Sequence, residues 1–186
     1  VGVFFQVDMT DEGDDKIDLS GTVLYDVDKK YLADIIKEFE DKVRIIRQRK
    51  DPVLEKTRSS FKMIPFLLLN VFVKVLSILT YTLNLDLRWA GLPKDPFGSV
   101  MITNIGSLGL DVAYVPLVPY SRVPLLVALG AVKDVPVAEN GQVVIRKRMG
   151  LHVTFDHRFL DGYQASIMSK VVHDFFEHPE TNFGAI

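Results

Sequence analysis

Hydrophobic residues alternate with more polar ones at the start of the chain, where Val3, Phe5, Val7 and Met9 lead into the acidic stretch "TDEGDD". A two-residue period predicts a strand entering a loop. "IDLSGTVLYDV" (17–27) predicts the returning strand. Asp28 then stands at an N-cap position ahead of Leu32, Ile35, Ile36, Phe39, Val43 and Ile46. That apolar stripe has helical spacing, so a helix is expected over about 29–49. The polar linker "RKDPVLEKTRSS" follows.

The most apolar stretch is "FKMIPFLLLNVFVKVLSILTYTLNLDLRW" (61–89). Met63 to Tyr81 has about the 20 residues needed to cross a bilayer. Pro65, Asn70, Lys74, Ser77 and Thr80 interrupt it, and no strongly basic flank sets an orientation. A buried or subunit-facing helix is the preferred reading, ahead of a membrane-surface helix, with a true span last.

The second half is rich in strands. "GSVMITNIGSLGL" (98–110) is a β-branched run ending in a glycine turn. Asn140-Gly141 readily supplies the positive φ angles of a type I′ hairpin, so the runs on either side should pair antiparallel. Leu151, Val153 and Phe155 alternate with His152, Thr154 and Asp156, which places His152 on the side of the sheet away from the core. A last helical stripe, Ala165, Ile167, Met168, Val171, Val172, Phe175 and Phe176, begins after Gly162 and ends near Pro179. The fold expected is an α/β layered sandwich with a mixed, mostly antiparallel sheet flanked by helices.

Bulk composition narrows the function classes. The chain has 186 residues, 48% of them hydrophobic, which suits one globular domain. With 22 basic and 24 acidic residues the net charge is −2, and no nucleic-acid footprint is expected. Arg44, Arg47, Arg49 and Lys50 are more simply the cationic C-terminal end of a helix. The absence of cysteine excludes disulfides, thiolate metal sites and a cysteine nucleophile, and it fits a reducing compartment such as the cytoplasm. The chain starts without an initiator methionine and with strand character, so a preceding N-terminal portion is expected.

Candidate chemistry concentrates in "FDHRFLDG" (155–162). His157 falls at a strand end, where a rigid element can present it to a cleft. An imidazole can accept a proton from a thiol of pKa about 8.5 or from a hydroxyl. Asp161 is placed to fix the turn, through a basic partner or through backbone N–H groups, and Gly162 would permit an otherwise unfavourable backbone there. A single histidine at a strand end is more often a hydrogen-bonded turn residue. Thr103 and Asn104, polar positions inside the apolar run 98–110, alter that balance. A buried hydroxyl or amide needs a partner, and one use is to stabilise an oxyanion. The simpler use is a strand-end Asx or ST-turn. His173 and His178 read as surface residues. No cluster of ligands has metal-site spacing, and "DEGDD" lacks the alternating ligands of a calcium loop.

The two segments "GSVMITNIGSLG" and "VTFDHRFLDG", with a hairpin between, resemble the catalytic domain of the acyltransferase component of 2-oxo acid dehydrogenase complexes. The resemblance covers about 98–180 well, 1–50 more loosely and 51–97 weakly. It implies a chloramphenicol-acetyltransferase-like fold and a single catalytic domain over 1–186, in the standalone form without a lipoyl domain. It further implies that His157 is the general base toward coenzyme A or dihydrolipoamide and that Asp161 holds the loop. Thr103 takes the place of the family's oxyanion-stabilising serine, with a methyl group that restricts χ1. Asn104 and Gly162 would contact substrate. Implied too are coenzyme A as substrate, no covalently bound cofactor, a lipoyl group supplied by a partner, and a homotrimer or larger assembly with the site between subunits. Alternatives are a non-catalytic oligomeric scaffold of the same fold, or a membrane-associated protein anchored through 61–89.

Overall fold

The computed structural model describes residues 1–9, 19–48, 65–90 and 95–183. A five-stranded sheet carries the order β2-β1-β3-β4-β7. Its strands are β1 (Val3–Asp8), β2 (Leu19–Leu24), β3 (Val100–Asn104), β4 (Leu125–Leu129) and β7 (Leu151–Phe155), while β5 (Lys133–Glu139) and β6 (Gln142–Arg148) form a separate hairpin. β1 runs antiparallel to β2 and parallel to β3; β3 runs parallel to β4, and β4 antiparallel to β7. The sheet is therefore mixed, and with the hairpin most pairings are antiparallel, as the alternation predicted. Asn140 and Gly141 have φ angles of 50° and 77°, the left-handed pair that closes the β5–β6 hairpin between Glu139 and Gln142.

Each face of the sheet has its own cover. Leu24 is fully buried on the face shared by Val3, Phe5 and Val7. Helix α1 (Leu32–Arg47) lies over this face; Phe39 meets Phe5 at 4.8 Å between ring centroids, and Ile46 is buried. The opposite face carries Phe4, Gln6, Met101, Thr103, Leu126, Ala128 and His152, as the register requires. Leu126 and Ala128 are buried there under Ala113, Val115 and Leu117. Gly98, at φ 62°, brings β3 flush against β1, because a Cβ would stand 2.5 Å from the Gly2 carbonyl oxygen.

Several expectations are corrected. Helix α1 starts at Leu32 with Tyr31 as its N-cap, while Asp28 lies in a preceding 3₁₀ turn, Val27–Lys29. His152 faces the side of the sheet that holds buried Ala128, and it is Val153 on the other face that is half exposed. Register, and not the alternation of hydrophobicity, sets which face of β7 lies beside the buried Leu126 and Ala128.

Helix α2 (Phe66–Ser77) continues as a π-helical turn, Ile78–Thr82, and exposes Leu68, Val71, Val75 and Ile78. It is thus not buried within one chain, and among the described residues no helix is long and apolar enough to cross a membrane. Helix α3 (Gly162–Glu177) follows β7, and the short α4 (Pro179–Phe183) folds back so that Phe183 meets Phe175 edge-on at 5.0 Å. The acidic stretch 10–15 and most of the linker after α1 lie outside the described residues.

Candidate active site

Strand β7 ends at Phe155, and the backbone N–H of Asp156 still donates to the Pro124 carbonyl at 2.8 Å before the chain turns. The turn is held by Asp156, which accepts from the Arg158 N–H and from its guanidinium at 2.6–3.1 Å. These bonds from Arg158 hold the Asp156 carboxyl down at about 2. Arg158 is thus the partner of Asp156 and not of Asp161. His157 stands exposed on this turn, its ring 6.1 Å from that of Phe155. Among the described residues no side chain or backbone group hydrogen-bonds its imidazole.

Asp161 finds its partner in backbone and amide groups. It is the N-cap of α3: its Oδ1 accepts from the Gln164 N–H, and the Gln164 Oε1 accepts from the Asp161 N–H, both at 2.9 Å. This reciprocal capping box fixes the angle between the histidine turn and α3. Of the two roles open to Asp161, the backbone one is observed. Gly162, expected to relieve a strained backbone, has no positive φ and would tolerate a Cβ with nothing within 4 Å. It is simply the first residue of α3.

The other candidates lie at the C-terminal end of β3. The Thr103 hydroxyl donates to the Gln6 Oε1 at 2.5 Å. Asn104 uses its Oδ1 to accept from the Ser107 N–H at 3.2 Å, and the Ser107 hydroxyl donates to the Asn104 carbonyl at 2.8 Å. Asn104 therefore braces, through its side chain, the turn that opens the 3₁₀ segment Gly106–Leu108, a local structural use close to the simpler of the two expected. Thr103 is in register with Ala128, and Ala128 with His152, whereas Phe155 is in register with Leu125 at the other end of β4. Thr103 and the His157 turn are thus separated by two strand spacings and by more than about 10 Å along the strands. One chain does not bring them together.

Sequence reasoning missed Gln6. Its only signal is a polar residue in β1, and its relevance depends on the β1–β3 pairing, which local periodicity does not reveal. His152 likewise has an unforeseen partner, with Nε2 2.8 Å from the Asp111 carbonyl oxygen. Among the described residues no three His, Cys, Asp or Glu side chains could together hold a metal ion.

Solved structures share this fold. Azotobacter vinelandii dihydrolipoamide acetyltransferase superposes with a TM-score of 0.60 at 18% identity, over 97% of this chain and 55% of that one. The cubic core of the pyruvate dehydrogenase multienzyme complex gives 0.61 at 17% identity, with the same coverage. The fold is that of acyltransferase catalytic cores. Residues 96–183 match the family described as 2-oxoacid dehydrogenases acyltransferase (catalytic domain). The lipoamide acyltransferase component of the branched-chain alpha-keto acid dehydrogenase complex of Pseudomonas aeruginosa is 31% identical over 85 residues, 46% of this chain. The chain spans about a fifth (19%) of that protein's length.

Proposed function

We propose that the protein is an acyltransferase that moves an acyl group between coenzyme A and a thiol acceptor such as dihydrolipoamide. The observation that carries this reading is the pair of sites inside the matched region: an exposed histidine, without a hydrogen-bonding partner among the described residues, on a turn braced at both ends, and a strand-end hydroxyl. The Azotobacter enzyme has been investigated for catalytic roles of a serine, a histidine and an asparagine four residues after that histidine. His157 and Asp161 have the same spacing, and Thr103 offers a hydroxyl.

His157 takes the proton of the acceptor thiol as the thiolate attacks the thioester carbonyl carbon. The tetrahedral oxyanion that forms accepts a hydrogen bond from the Thr103 hydroxyl. Collapse re-forms a carbonyl, expels the other sulfur and returns the proton to it from the imidazolium. Asp161 takes no proton; it fixes the turn that carries the base.

Because one chain separates His157 from Thr103, the reading requires a second copy to complete each site, and a closed homotrimer is the proposed assembly. The open apolar positions Val153 on β7, Val71 and Val75 on α2, and Val171 and Phe176 on α3 support such packing. A lipoyl group would come from a partner, coenzyme A is a substrate, and no covalently bound cofactor is proposed. The cysteine-free composition suits the cytoplasm.

The test is a thiol-release assay on the full-length protein with acetyl-, succinyl- and branched-chain acyl-coenzyme A, with and without dihydrolipoamide. Free coenzyme A should appear from at least one donor only when the acceptor is present. An intact oligomer that releases none from any donor would instead be a non-catalytic scaffold.

A further inference from the structure

We propose that Gln6 is a positioning residue for acyl transfer, reversing its side-chain amide to turn Thr103 from a resting to a donating state. This rests on the reading of Thr103 as the oxyanion donor. The observation is the 2.5 Å bond in which the Thr103 hydroxyl donates to the Gln6 Oε1. A threonine hydroxyl has one proton. While that proton lies on the Gln6 oxygen, it cannot also lie on a developing oxyanion.

The sheet holds the two groups in register. Parallel pairing places Phe5 beside Ile102, so one step further along Gln6 lies beside Thr103 on the same face. On the far flank of Gln6 the register partner is Gly21. A Cβ there would stand 2.1 Å from the Phe4 ring, which occupies the place of a side chain. On the far flank of Thr103 stands Ala128, which offers no polar side-chain atom. Among the described residues Gln6 is thus the single hydrogen-bonding partner of this hydroxyl.

An amide is suited to resolve the conflict. It carries acceptor and donor on one nearly symmetric plane, and its terminal torsion is soft and two-fold. Turned over, the Gln6 Nε2 donates to the Thr103 Oγ1, whose own proton is released toward substrate. The resulting N–H to O–H to O⁻ chain also polarises the final bond. A carboxylate in the same place could only accept and would retain the proton.

Gln6→Glu and Gln6→Met separate these effects. Gln6→Glu should lower kcat by about 100-fold, approaching the loss of an oxyanion donor, with KM little changed. Gln6→Met, which frees the hydroxyl but removes the donor behind it, should cost only about tenfold by the loss of one neutral hydrogen bond. The ratio of Gln6→Glu to wild-type activity should recover on acidification, as the new carboxyl gains a proton and can donate. In a Thr103→Ala background the gap between the two variants should largely close. A merely structural Gln6 predicts equal effects with no pH recovery, and that result would overturn the proposal, as would an unchanged kcat in Gln6→Met. An unchanged kcat in Thr103→Ala alone would sink the oxyanion reading itself.

Discussion

His157→Ala is expected to lower acyl transfer by about 10²- to 10⁴-fold, the contribution of a positioned general base, and to leave the fold intact. The side chain is exposed beyond the end of β7 and makes no hydrogen bond to the described residues, so its removal opens no cavity and orphans no partner. The thermal midpoint should shift by no more than an ordinary surface substitution allows, within about 0.5 kcal/mol. Loss of rate without loss of stability, measured on the same purified oligomer, is the expected pair of results. The pH profile adds a check, because the imidazole must be neutral to take the thiol proton, so activity should fall on acidification. Asp156 contributes nothing to that fall. Its carboxyl is held at about 2 by Arg158, so it stays ionised through the range in which imidazoles titrate. The sign follows: a depressed folded-state value means that whatever the Asp156–Arg158 pair adds to stability is present above the ordinary carboxylate range and lost as pH falls toward about 2. The fall in activity on the acid side should be absent from the residual activity of His157→Ala. Normal turnover in that variant would remove His157 from the mechanism.

Thr103→Ala should lower kcat by about 10²- to 10³-fold with KM for the acyl donor nearly unchanged, because an oxyanion donor acts on the transition state and not on the bound thioester. A variant that raised KM alone would place Thr103 in substrate binding instead. Thr103→Ser supplies the control. It keeps the hydroxyl and the bond to Gln6, relieves the χ1 restriction of the β-branched side chain, and should hold most of the rate.

Much of the fold was legible because it depends on local patterns. The alternation in β1 and β2, the Asn140-Gly141 turn and the apolar stripes of α1 and α3 each state their own geometry. What was not legible depends on long-range pairing. Gln6 gains its meaning only from β1 lying parallel to β3, and the face of His152 is set by its register beside buried Ala128, which local alternation does not carry. At the site, His157 and Thr103 stood out as polar residues at strand ends. The roles of their neighbours did not: Gly162 is a plain helix start and Asn104 a turn former. Asp161 needed the helix behind it, since its partner is the N–H of Gln164 and not a distant cation.

The separation of His157 and Thr103 within one chain makes the subunit boundary the central claim. Subunit mixing tests it most directly. His157→Ala and Thr103→Ala proteins, each purified, would be unfolded, mixed in equal amounts and refolded together, with each refolded alone as a control. In a closed trimer whose sites each take His157 from one subunit and Thr103 from the next, every mixed trimer regains one intact site. Random assembly then restores about a quarter of wild-type activity. Co-refolded samples that assemble into mixed oligomers yet show no more activity than the separately refolded variants would contradict a site shared between subunits.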